Sequence, residues 1–139
     1  MEDLSLHIMD IVENSLRAGA ENIDVKLIED NNLLILEIED DGKGMNNDII
    51  KNAANPFFTT KDSKKFGLGL SLLSQACAET GGHMKIEKKE NKGTRIITTF
   101  NKDNIDMKPI GDINKTMRVL KAAHPDVNFS YEYVIKNRG

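Results

Sequence analysis

Five short patches follow one another in this chain: HIMDIVENSLRAGA from His7, DDGKGM from Asp40, NPFFTTK from Asn55, FGLGLSLL from Phe66 and KGTRI from Lys92. A lone glycine pair would say little, because turns use glycine for its backbone freedom alone. The ordered set constrains far more, since it assigns both where elements start and stop and where polar groups gather.

Leu4 to Ala18 has helical periodicity. Leu4, Ile8, Ile11, Val12, Ser15 and Leu16 fall on one face, and His7, Asp10, Asn14 and Arg17 on the other; Gly19 ends the helix. Asn22 to Ile28 and Leu33 to Glu39 are strand-like and are joined by Asp30, Asn31 and Asn32, which predicts an antiparallel hairpin. After the glycine turn, Asn46 to Asn52 forms a short helix, and Asn55 to Phe66 is a loop that begins beside Pro56. Gly67 to Thr80 is helical, and His83 to Lys88 with Thr94 to Phe100 makes a second antiparallel pair. Beyond Asn101 a turn-rich link leads to a helix at Asp112 to Ala123 and a strand at Val127 to Ile135, where Phe129, Tyr131 and Tyr133 alternate with polar residues. A strand so placed pairs at a sheet edge or with another chain, which leaves a homodimer open. The expected division is 1–101 for the core domain and 102–139 for a helix-strand extension packed on it.

The 139 residues, 39% of them hydrophobic, suit one domain with one core. A net charge of -3 argues against a broad nucleic-acid surface. Cys77 is the only cysteine, so neither an internal disulfide nor a zinc site is expected, and a small buried side chain is the plain reading. The start, MEDLSLHIMD, is acidic, and no apolar run approaches the roughly 20 residues that cross a bilayer, so no membrane association and a cytoplasmic location are expected.

The polar patches point to nucleotide chemistry. Asp10 and Asn14 stand one helical turn apart, where a carboxylate and an amide oxygen can share a hard cation such as the magnesium carried by ATP. Asp40 ends a strand just before Gly42 and Gly44; its carboxylate can accept from an exocyclic amine while the glycines admit a flat ring, which favours adenine over guanine. DDGKG lacks the further ligands of a calcium loop. Gly67, Leu68, Gly69 and Leu70 open a helix whose unpaired N–H groups and dipole can meet phosphates. Thr59 to Lys65 carries hydroxyls and three lysines and has the polarity of a lid; Thr60 and Lys61 are its candidate phosphate contacts. Neither a P-loop nor a dinucleotide fingerprint is present.

On these motifs, over about Leu4 to Phe100, the chain resembles the Bergerat-fold ATPases, the group of DNA gyrase, the heat-shock chaperone of ninety kilodaltons, histidine kinases and MutL. HIMDIVENSLRAGA is similar to the N box of the MutL type, and NPFFTTK with GLGLSLL is similar to nitrogen-regulator-type histidine kinases. The resemblance implies an α/β (α+β) sandwich: a mixed, mainly antiparallel sheet with helices packed on one face. It implies ATP and Mg2+ as cofactors, with Asn14 on magnesium, Asp40 on the adenine amine, Gly44 against the base, Gly67 and Gly69 on phosphate, and Thr94 reaching adenine through water.

Two departures stand out. Hydrolysing members and anti-sigma serine kinases place a glutamate four residues before the N-box asparagine; this chain has Asp10, one methylene shorter, which weakens a general base there. A complete histidine kinase carries a helical hairpin with its phosphoacceptor ahead of this domain, whereas six residues precede His7 here. His7, His83 and His124 each have a bland alternative as helix-face, strand-start or loop residues. Three readings follow: a stand-alone kinase acting on a separate protein with Asp10 and Lys61 as its catalytic groups, an ATP-gated module that binds a regulatory partner, and a fragment of a larger ATPase machine.

Overall fold

In a computed structural model of the chain the residues described are 3–43, 68–88, 93–104, 107 and 109–136, with the side chains of Leu68, Gly69 and Ser71 excluded. The expected helix at Asn46 to Asn52, the loop at Asn55 to Phe66, and Gly44, Thr60, Lys61 and Gly67 lie outside those residues.

Helix α1 (Leu4–Arg17) begins at Asp3, whose carboxylate accepts from Leu6 N at 3.1 Å. Two more of its first N–H groups are met from the far end of the chain: Leu4 N donates to Pro109 O at 2.9 Å and Ser5 N to Ile110 O at 3.1 Å. A helix start leaves such donors unpaired, so a segment that supplies carbonyls there is fixed to it.

Strands β1 (Asn22–Asp30) and β2 (Leu33–Asp40) form the expected hairpin, extended by one or two residues beyond the alternation. Its turn is Asn31-Asn32, and Asn31 adopts φ 56°, a conformation asparagine tolerates. Helix α2 (Leu68–Glu79), β3 (His83–Lys88) and β4 (Thr94–Asn101) follow. Helix α3 (Ile113–Ala123) is capped by Asp112, whose carboxylate accepts from Lys115 N, and β5 (Asn128–Lys136) closes the described chain.

The sheet order is β3-β4-β2-β1-β5, antiparallel except for β1 with β5. All three described helices contribute to one core on one face, α1 lying between α2 and α3. The period of two along the strands explains the layering. Ile23, Val25 and Leu27 of β1, Leu34, Leu36 and Ile38 of β2, and Ile96 and Phe100 of β4 point to the helices and are buried. Each such side chain contributes about 1.5–3 kcal/mol when fully buried. The alternate positions, Asp24, Lys26, Glu37, Glu39 and Arg95, line a shallow polar hollow of about 230 Å³ on the other face, where Arg95 pairs with Glu37 at 3.0 Å.

The helix face assigned from periodicity needs one correction. His7 is 3% exposed, not on the polar side, because α1 packs between two other helices and its buried arc is wider than a single contact requires. Cys77 is fully buried, as expected, and donates to Ser74 O at 3.2 Å. No described helix is long and apolar enough to cross a membrane.

Candidate functional site

β2 is the central strand, and its last residue, Asp40, comes up beneath the second half of α1. A carboxylate at that position, 6% exposed, requires hydrogen-bond donors. Among the described residues two are present: Ser15 Oγ, one residue after Asn14 on α1, donates to Asp40 Oδ2 at 2.7 Å, and Gly42 N donates to Oδ1 at 2.9 Å. An ionised carboxyl has about four acceptor directions, so each oxygen keeps one for a further donor such as an exocyclic amine.

The turn after Asp40 is held from both sides. Asp41 faces away from the buried carboxylate and accepts from Asn22 Nδ2 at 2.7 Å, Asn22 N at 2.9 Å and Glu21 N at 2.8 Å. The Asn22 side chain above all, helped by these backbone donors, holds the Asp41 carboxyl down at about 2. Lys43 N donates to Ala18 O at 2.9 Å, which ties the turn to the end of α1. The close approach also explains Gly42: a Cβ there would stand 3.0 Å from both Ala18 Cβ and Ala18 O. Gly42 therefore has a packing role at this turn, buried against the helix end.

Across the sheet, Thr94 of β4 is the register partner of Asp40 and is 1% exposed. The residue before it sets this closeness. Gly93 has φ +124°, and a Cβ on it would fall 2.1 Å from Asp40 O and 3.0 Å from Asp41 Cα. Only glycine fits at that point. Asp40, Gly42 and Thr94 are thus brought together with Ser15, from three segments far apart in sequence.

Asp10 and Asn14 lie where expected, on α1 a turn apart, with Asp10 exposed and Asn14 half-buried. Their carboxylate and amide oxygens are hard donors of the kind magnesium takes. Among the described residues no three His, Cys, Asp or Glu side chains gather as a metal site; a magnesium ion here would draw most of its ligands from nucleotide phosphates and water. Leu68, Gly69 and Leu70 form the described start of α2. Leu70 is fully buried in the core, so its side chain is packing and only its backbone N–H is suited to a phosphate.

Ser15, Gly93 and Asp41 were not among the expected site residues. Periodicity sets Ser15 on the apolar face of α1, and a hydroxyl in an apolar stripe is itself the signal that something polar lies opposite.

Comparison with known proteins agrees with this fold. Residues 2–104 match the family model described as histidine kinase-, DNA gyrase B-, and HSP90-like ATPase. The sensor protein kinase PilS of Pseudomonas aeruginosa is 33% identical over 100 residues, which are 67% of this chain and 19% of that protein. Among solved structures, the ATPase domain of Aquifex aeolicus MutL, complexed with ADP, superposes with TM-score 0.55 at 15% identity, over 95% of this chain and 60% of that one. The mycobacterial sensor histidine kinase MprB does so with TM-score 0.50 at 19% identity, over 68% of each chain. Both structural likenesses concern the fold alone. The chain spans 8% to 19% of the length of the first curated relatives it matches. A mixed, mainly antiparallel sheet with its helices on one face, a buried carboxylate at the end of its central strand and a family match over most of its length lead to one conclusion: the chain belongs to the histidine kinase-, DNA gyrase B- and HSP90-like ATPases, and its domain is an ATP-binding one.

Proposed function

We propose that this chain is a magnesium-dependent, ATP-binding kinase domain that passes the γ-phosphoryl group to a hydroxyl or imidazole of a separate protein. The observation that carries the reading is the Ser15–Asp40 hydrogen bond. It joins the adenine acceptor to α1 at the residue next to Asn14, so one rigid helix aligns the base end and the phosphate end of a bound nucleotide. Alignment of this kind accounts for most of phosphoryl-transfer catalysis.

In this reading Asp40 accepts from the adenine amine, Thr94 supports that contact through water, and Gly44 lies against the base. Asn14 holds magnesium, and the N–H groups from Gly67 to Leu70 bind phosphate with Thr60 and Lys61. Magnesium held by Asn14 would neutralise phosphate charge. Asp10 accepts the acceptor's proton as the phosphoryl group leaves ADP, and Lys61 offsets the charge that develops. Residues 1–101 form the ATP-binding domain and 102–139 an extension on it, acting in the cytoplasm in signal transduction. The sensor kinases among the relatives support this reading over a hydrolytic machine.

Incubation with γ-labelled ATP and magnesium in cytoplasmic extract, beside Asp40→Asn, tests it: a labelled protein absent from the control is expected. Asp10, exposed and one methylene short of a glutamate, favours a second reading, an ATP-gated module with little turnover. ATP binding without any labelled protein, and without gain from Asp10→Glu, decides for that module. Normal ATP binding by Asp40→Asn overturns both.

A further inference from the structure

The two edges of the sheet differ in kind. β3 is six residues long, and Lys85, Glu87 and Lys88 spread charge along it, the usual protection of a natural edge. β5 is nine residues long, pairs along one side with β1, and among the described residues ends the sheet on the other. Its register with β1 sets Tyr131 beside Val25 and Tyr133 beside Leu27, so Phe129, Tyr131, Tyr133 and Ile135 share the helix-side face. That face should be the dry one, yet Tyr133 is 48% and Ile135 58% exposed. The apolar residues continue past the point where α3 covers them, beside a row of backbone donors and acceptors that no described strand meets.

We propose that β5 pairs antiparallel with β5 of a second copy of this chain, about a two-fold axis at Val134. The sequence of the strand selects both the partner and the register. With Val134 opposite the partner's Val134, Tyr133 lies opposite the partner's Ile135, and Glu132 opposite the partner's Lys136, each pair occurring twice by symmetry. The two most exposed apolar side chains of the strand thus cover one another on the helix side. On the opposite face the charges alternate in sign: Glu132, already 3.8 Å from Lys26 of its own chain, meets a second cation. Neighbouring registers lose this match. Centring on Tyr133 leaves Glu132 opposite the partner's Val134, and centring on Glu132 sets two carboxylates against each other. The result is a ten-stranded sheet with both helix layers on the same side, an isologous closed dimer.

Light-scattering or sedimentation mass of the full chain, from micromolar to millimolar concentration at low salt, is the test. The expected mass rises toward twice the 15.5 kDa of one chain. Glu132→Lys alone and Lys136→Glu alone each return it to the single-chain value, while the two reversals combined restore the doubled mass, although the bridge to Lys26 stays broken. Circular dichroism checks that each variant folds. Val134→Cys forms a disulfide-linked pair under mild oxidant and Tyr133→Cys does not, with buried Cys77 silent in both. A single-chain mass throughout overturns the proposal, as does a dimer that ignores the single reversals, fails to recover in the double one, or cross-links through Tyr133→Cys instead.

Discussion

The hydrogen bond between Ser15 and Asp40 gives the sharpest quantitative expectation. At 2.7 Å, between groups that are 4% and 6% exposed, it is a buried bond to a charged acceptor. Such bonds contribute about 1.5–3 kcal/mol, and Ser15→Ala regains about 0.5 kcal/mol of helix propensity, so a net loss of about 1–2.5 kcal/mol is expected. Asp40→Asn keeps the shape but removes the charge. In that background Ser15→Ala should matter less, giving a coupling of about 1 kcal/mol or more between the two positions. Urea unfolding followed by circular dichroism at neutral pH, on wild type, both single variants and the double, measures it. The same set has a reading in nucleotide affinity. Releasing Asp40 from its hydroxyl means fixing that rotor on binding, about 0.5–1.5 kcal/mol or roughly two- to tenfold in ATP affinity. Asp40→Asn can turn an amide N–H₂ toward the adenine amine, donor against donor, and should lose about ten- to a hundredfold or more. Stabilities that add within about 0.5 kcal/mol, together with unchanged ATP affinity in Ser15→Ala, would refute the claim that this bond organises the site.

Gly93→Ala places a methyl 2.1 Å from Asp40 O at a positive φ, so a loss of about 3 kcal/mol or more in urea unfolding is expected, with weaker ATP binding because Asp40 must shift. The Asp41 carboxyl is held at about 2, below its ordinary 3.8, so its ionised form favours the folded state. That stabilisation is fully present above pH 3.8 and is lost as pH falls toward 2; the stability difference between wild type and Asp41→Asn should shrink across that window, and a constant difference would remove Asp41 as the anchor of the turn. Burial lifts the Cys77 thiol from 9.0 to about 11, so disulfide reagents at pH 8 should label it at least about a hundredfold more slowly than a free thiol, with normal speed restored in urea.

What was legible in the sequence was what depends on near neighbours. The alternation of Leu34, Leu36 and Ile38 marked a half-buried strand, and the asparagines at 31 and 32 marked its hairpin. What was not legible depends on contacts across the chain. Ser15 and Asp40 meet only because α1 crosses the end of β2, 25 residues away in sequence. His7 is buried because α2 and α3 flank α1 on two sides, and no period within α1 reports that. The carbonyls of Pro109 and Ile110 that finish the start of α1, and the parallel placement of β5 against β1, are likewise matters of return path. The site inherits its accuracy from these packed partners. A slip of β4 by one residue against β2 would turn Thr94 to the outer face and drive Arg95 toward the core. Burial of Ile96, Thr98 and Phe100 opposes that slip, and the same burial holds Gly93 against the Asp40 backbone, so the forces that select the register of the sheet also hold the candidate site in place.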